Sequence, residues 1–365
     1  MKNNAKLSML ISGLVACSVL VGCGNAQKST QTAAPISAKP VPKMTLLWSD
    51  YVGWEFYPLM DKLGILKKWA DKKHCEINLL KMSYGPSIDA LNSSKDAQAL
   101  SVANFDALIS HAGTGLDLTV LYVGDYSNDN DKVIAKLGRN LKNGKKITIA
   151  LVKNTVSEYA LRRYCEMNGI DESKLDIMSV DEKDIVTAFQ TTPTLDAVCT
   201  FNPYAMMILK EKNTERKFGS SEIPGEIQDL LVMKTQAVKD HPEFAEALTG
   251  AWYETLSIIK EGGQRAEEAI AIMAQEANCT PDEFKAQLKT TKMFYTPQEA
   301  LEFTNSKDLM QGSMQRMSQF CVKRQFVTGK GPGISFPDGT VQNDATNVKL
   351  RYESRFMQEA AEGSL

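Results

Sequence analysis

From Lys43 onward, short apolar runs alternate with amphipathic stretches, the pattern of successive βα units with parallel strands. "MTLLWS" predicts a strand, "YPLMDKLGILKKWADKK" a helix and "CEINLLKMS" a further strand. "GPSIDALNSSKDAQALSVA" reads as mostly helical with a break near Ser93–Ser94, and "FDALIS" leads into the β-rich run "LDLTVLYVGDYS". A second series of the same kind opens at "KKITIALVKNTVSEYALRRYCEMNG", where Thr155 or Ser157 suits the cap of a helix that Gly169 ends. "KLDIMSV", "DEKDIVTAFQTT" and "LDAVCTFNPYAMMILKE" continue the alternation, and after "IPGEIQDLLVMKTQAV" the chain turns helical. The pattern predicts an α/β protein of two lobes. Ligands of open α/β sheets lie beyond the carboxyl ends of strands, so a cleft between the lobes is the expected binding place.

The 365 residues are enough for two such cores, and 43% hydrophobic with 24% charged residues is an ordinary globular balance. A formal net charge of −2 gives no field toward nucleic acid, so a nucleic-acid partner is excluded. The start of the chain adds an address. "MKNNAK" is weakly basic, "LSMLISGLVACSVLV" is an apolar run too short to span a bilayer comfortably, and "LVGC" resembles a bacterial lipobox. That resemblance implies cleavage before Cys23, lipidation of its thiol and an exported, membrane-anchored protein at the cell membrane or in the periplasm. Residues 1–22 are then a signal peptide and residues 23–43, rich in Ser, Thr, Ala, Pro and Gln, a disordered tether. Residues 44–124 are expected to begin the first lobe, 125–228 to form the second, and 229–365 to return to the first and add C-terminal helices.

Of seven cysteines, Cys17 leaves with the signal peptide and Cys23 is lipidated, so Cys75, Cys165, Cys199, Cys279 and Cys321 remain. Their odd number and wide spacing predict mostly buried thiols, a disulfide or two at most, and no metal site.

The stretch "WSDYVGWE", Trp48 to Glu55, sets acids among flat rings at the end of a strand. Planar NH-rich cations gain from ring faces and from carboxylates that accept two hydrogen bonds, so Trp48, Tyr51 or Trp54 could stack on such a ligand while Asp50 or Glu55 pairs with it. Asp50 equally suits a helix cap. In "NFDAL", Asn104 and Asp106 sit near an expected strand start, and a buried Asp needs partners. Asp125 and Ser127 open "DYSNDND", a run that could cross between lobes; its spacing is superficially that of a calcium loop but lacks the glycine and the terminal glutamate. Asn202 of "TFNPYA" joins the candidates. The acidic aromatic loops contain no arginine, which an anion binder would be expected to offer, so a cation or neutral amide is favoured. His74, His111 and His241 are far apart in sequence and sit in no metal or nucleophile motif.

The blocks "WSDYVGWE", "NFDAL", "VGDYSNDND", "LTGAWYE" and "FPDGTVQNDATNVKLRYE" resemble those of substrate-binding lipoproteins of ABC importers associated with urea carboxylase, within the nitrate/sulfonate/taurine-type superfamily. The resemblance implies a type II periplasmic-binding fold, an ABC transporter permease as partner, no cofactor, and guanidine or urea as solute. Two other readings are an enzyme of the related pyrimidine-synthesis type, which needs a histidine cluster, and a lipoprotein that kept the fold but lost transport.

Overall fold

The computed structural model describes residues 41–365; Cys23, the signal peptide and nearly all of the expected tether lie outside the described residues. The first strands are β1 (Lys43–Trp48), β2 (Glu76–Lys81), β3 (Ala97–Ala103) and β4 (Leu118–Ser127). Next come β5 (Lys132–Lys136), β6 (Ile147–Leu151), β7 (Leu175–Ser179), β8 (Ala197–Thr200) and β9 (Thr214–Gly219). The chain then gives β10 (Gln228–Lys234), β11 (Thr291–Met293), β12 (Pro332–Ser335), β13 (Val341–Gln342) and β14 (Asp344–Tyr352).

These form two sheets. One has the order β13-β12-β14-β4-β10-β3-β1-β2, with β11 also paired to β4, and the other the order β7-β6-β8-β5-β9. The expected parallel pairing holds for β1 with β2 and β3, and for β6 with β7 and β8. Strand β10 instead runs antiparallel between β3 and β4, and β5 antiparallel between β8 and β9. The two sheets are joined by two short crossings, after β4 and before β10, and both belong to one compact unit, Val41–Leu365.

Three local expectations change. The helix expected over "YPLMDKLGILKKWADKK" is two, Phe56–Lys62 and Ile65–Lys72, because Gly64 takes a left-handed φ of 68° between them. "AQALSVA" is strand β3 and not helix: its alanines favour helix locally, but all but one of its residues are buried in the sheet between β1 and β10, and tertiary pairing overrides propensity. Asn104 and Asp106 therefore follow a strand and open a helical turn, where a strand start was expected. The helix Val156–Asn168 follows expectation, with the Thr155 side chain capping the Ser157 N–H and Gly169 ending it at φ 62°. Cys75, Cys165, Cys199 and Cys321 are buried free thiols, and Cys279 is a half-buried one.

Candidate functional site

A cavity opens where the two sheets meet. It is lined by Tyr51, Trp54, Tyr84, Ala103, Asp131, Val156, Phe201, Ile227 and Asp229. The space open to a water centre is about 20 Å3, a sphere of roughly 3 Å radius once the water's own bulk is added. That suits one solute of a few heavy atoms.

Its walls are rings. Trp54 lies 4.9 Å from Tyr51 and 5.6 Å from Tyr84 between centroids, and Phe201 stands edge-on to Tyr51 at 6.4 Å. Such an arrangement presents electron-rich faces to whatever sits inside. Neither Lys nor Arg is among the lining residues.

Its polar complement is four buried aspartates. Asp131 and Asp229 line it directly. Asp106 sits behind two lining residues, its Oδ2 accepting from the Tyr84 hydroxyl at 2.6 Å and the Val156 N–H at 3.2 Å. Asp125 accepts from the Tyr51 hydroxyl at 2.9 Å. Asp106 Oδ1, Asp125 Oδ2 and Asp131 Oδ1 find no donor among the described residues. Burial pushes the carboxyl of Asp106 up to about 7 and that of Asp131 up to about 6. Strand register places Asp125 directly opposite Asp229 on β10, and burial with mutual repulsion raises Asp229 well above the usual range. Two such carboxylates stay together only if a proton lies between them, and that proton supplies the donor Asp125 Oδ2 otherwise lacks. Gly53 allows this packing, since a Cβ there would collide with Asp125 Oδ2 and come within 2.7 Å of the Tyr51 ring.

The neighbouring crossings hold the acids in place. Ser127 Oγ donates to Asp131 Oδ2 at 2.6 Å and accepts in return from the Asp131 N–H at 3.1 Å. Ser220 Oγ, on the other crossing, accepts from the N–H groups of Asp129 and Asn130 and lies 2.7 Å from Ser127 Oγ. Ser127 is thus a support for Asp131. Asn104 plays a similar part: its Oδ1 accepts from the N–H groups of Phe105 and Gln228 and its Nδ2 donates to the Glu226 carbonyl, tying β3 to β10. Asn202 N–H donates to Asn130 Oδ1, its Nδ2 to Thr290 Oγ1, and its Oδ1 accepts from Met206 N–H, which fixes the segment carrying Phe201.

Three expected residues lie elsewhere. Asp50 pairs with Lys81 at 2.6 Å, and the same ammonium stands 4.9 Å from the centroid of the buried Trp48 ring. Glu55 is buried but does not line the cavity; its charged neighbours are Lys81, Asp50, Glu276 and Lys62, and burial pushes its carboxyl up to about 9. The reason is the turn after Trp48: the N–H groups of Trp54 and Glu55 both bond to the Tyr51 carbonyl, so consecutive side chains leave it in different directions. Of the expected set, Tyr51, Trp54, Asp106 and Asp125 gather at the cavity, with Ser127, Asn104 and Asn202 behind it.

Sequence reasoning missed Tyr84, Phe201 and Asp229, and met Asp131 only as the last acid of a calcium-like run. A lone acid opening the apolar run "DLLVM" was a signal for Asp229. Among the described residues no group of three or more His, Cys, Asp or Glu could hold a metal ion, so the aspartates surround the cavity without converging on a point. His111 is buried against Asn92, and His241 is exposed beside Glu243. None of the described helices is long and apolar enough to cross a membrane.

Residues 87–274 match the model of the NMT1-like family. The fold is that of the periplasmic aliphatic sulphonate binding protein SsuA from Escherichia coli, at 14% identity over 80% of this chain and 95% of that one, with a TM-score of 0.64. The alkanesulfonate-binding protein SsuA from Xanthomonas axonopodis pv. citri, bound to MOPS, gives 14% identity, 81% and 97% coverage and a TM-score of 0.65. The periplasmic nitrate-binding protein NrtA from Synechocystis PCC 6803 gives 12%, 89%, 99% and 0.56. No curated protein matches the chain. The architecture is the mixed α/β two-domain periplasmic binding protein fold that the resemblance implied, and its two lobes are those that the alternation of elements predicted.

Proposed function

Because the chain belongs to the NMT1-like family, we propose that it is the solute-capturing component of an ABC importer and that its solute is a small NH-rich cation, guanidinium before urea. In this reading residues 44–124 with 229–365 form one lobe and 125–228 the other, the lobes close around the solute, and a lipid on Cys23 anchors the exported protein beside its permease.

One observation carries the choice of solute: a ring-walled cavity surrounded by four buried aspartates, with no Lys or Arg on its lining. The structural relatives bind sulfonate or nitrate, anions that these acids would repel. A guanidinium ion is planar, cannot shed its charge at physiological pH and donates along several edges, so it satisfies carboxylate oxygens and ring faces together. Urea fits the same space but needs donors for its carbonyl, and the Tyr51 and Tyr84 hydroxyls already donate to Asp125 and Asp106.

Calorimetric titration with guanidinium, urea, nitrate and an alkanesulfonate tests the reading. Guanidinium is expected to bind at one site and raise the melting point as RT ln(1 + [L]/Kd) requires, with nitrate and the sulfonate inert. Binding of an anion, or of none of the four, rejects it.

A further inference from the structure

We propose that this cavity takes up its cation by exchange, releasing to bulk water protons that its aspartates hold between them. The inference rests on the cation-binding reading above and adds a thermodynamic property to the same site.

The geometry leads to it. Asp125 on β4 and Asp229 on β10 are opposed in register, both buried, and the pair is compatible with burial only when it shares a proton. Around Asp125 stand the Tyr51, Tyr57 and Tyr295 hydroxyls and the Asp131 carboxyl. Asp106, at the start of its helical turn, faces Tyr84, the Val156 N–H, Asp131 and the Cys321 thiol. Asp131 faces Ser127, the Cys199 thiol and Lys132. The Lys132 ammonium is spent on Asp129, with the Asp129 carbonyl and carboxylate as its partners, and is not on the cavity lining. Protons are therefore the counter-charge that these carboxyls hold in common, and three of their oxygens have no donor among the described residues.

A guanidinium ion entering among them supplies both the charge and the donors. Each carboxyl that ionises against it loses its proton to solvent, so charge balances one for one: one cation in, one proton out. Capture is then strongest at neutral to alkaline pH and weakens as acidification refills the carboxyls.

The test is guanidinium titration of the intact chain by calorimetry in two buffers of different ionisation enthalpy, phosphate and bis-Tris, from pH 6 to 7.5. Between pH 6 and 7 the observed heats should differ between buffers by an amount equal to roughly one proton released per solute, and Kd should tighten about tenfold per pH unit. Asp229→Asn replaces the shared proton by a fixed amide donor, so it should lower the proton count at pH 6 even where it also weakens binding; a melting curve confirms that the variant is folded. Guanidinium binding with equal heats in both buffers and a Kd flat across the range overturns the exchange and leaves the solute assignment standing. Failure of the parent chain to bind guanidinium at any pH overturns both.

Discussion

Two groups of acids flank the short stretch from Asp50 to Glu55, and they are solved in opposite ways. On one side Asp50 and Glu276 are met by lysines: Lys81 bonds Asp50 at 2.6 Å and Lys62 bonds Glu276 at 2.9 Å, in side chains that remain substantially exposed. On the other side Asp106, Asp125, Asp131 and Asp229 are buried, and rings and hydroxyls surround them in place of cations. A surface pair is cheap to make and to lose, whereas a buried carboxyl must keep its proton or find a counter-ion. The difference separates an ion-paired surface cluster from the buried acids of the proposed cation site, although both contain aspartate.

The comparison breaks hardest on the charge of the cavity. Asp131→Asn keeps the shape and removes one charge, so guanidinium affinity should fall by two to three decades or more, about 3–5 kcal/mol, in calorimetric titration. A variant that binds as tightly as the parent would remove the cavity acids from the site.

The next effect is on stability without solute. The unfolded chain loses protons near the ordinary carboxyl values of 3.8 for Asp and 4.5 for Glu, while the folded chain keeps them up to about 6 on Asp131, about 7 on Asp106 and about 9 on Glu55. The folded state therefore binds more protons through this window, and stability falls as pH rises from 4 toward 9. Asp131 alone contributes a loss of about 3 kcal/mol by pH 7. Melting curves should show this decline. Saturating guanidinium should reduce its lower part, from pH 4 to 7, while Glu55→Gln should flatten its upper part, from pH 7 to 9.

Trp54→Ala should weaken guanidinium by roughly tenfold, the worth of a ring face over a partly desolvated cation, while leaving the pH dependence of Kd in place. The smallest effects belong to the lysine-bearing group. Asp50→Asn should cost less than about 1 kcal/mol in urea unfolding and leave binding unchanged. Glu55→Gln should also leave guanidinium affinity unchanged at pH 7, because burial already holds that side chain neutral and the amide is its near isostere. A large loss of binding in either variant would erase the distinction between the two groups.

The sequence by itself determined the alternation of strands and helices, the two α/β halves and the gathering of acids with rings near strand ends. Those are consequences of local periodicity and of residue chemistry, both visible in a single chain. Tyr51, Trp54, Asp106 and Asp125 were legible in this way. Which of them share a cavity was decided only by the tertiary structure. Asp229 meets Asp125 because β10, about a hundred residues later, inserts antiparallel between β3 and β4, and no periodicity in either strand encodes that register. Glu55 turns toward Lys81 and Glu276 while Trp54 enters the cavity, because the turn at Tyr51 sends adjacent side chains to different faces. The protonation of the aspartates follows from burial, which is a property of the assembled core: the same carboxyls in an extended chain would all be ionised at neutral pH.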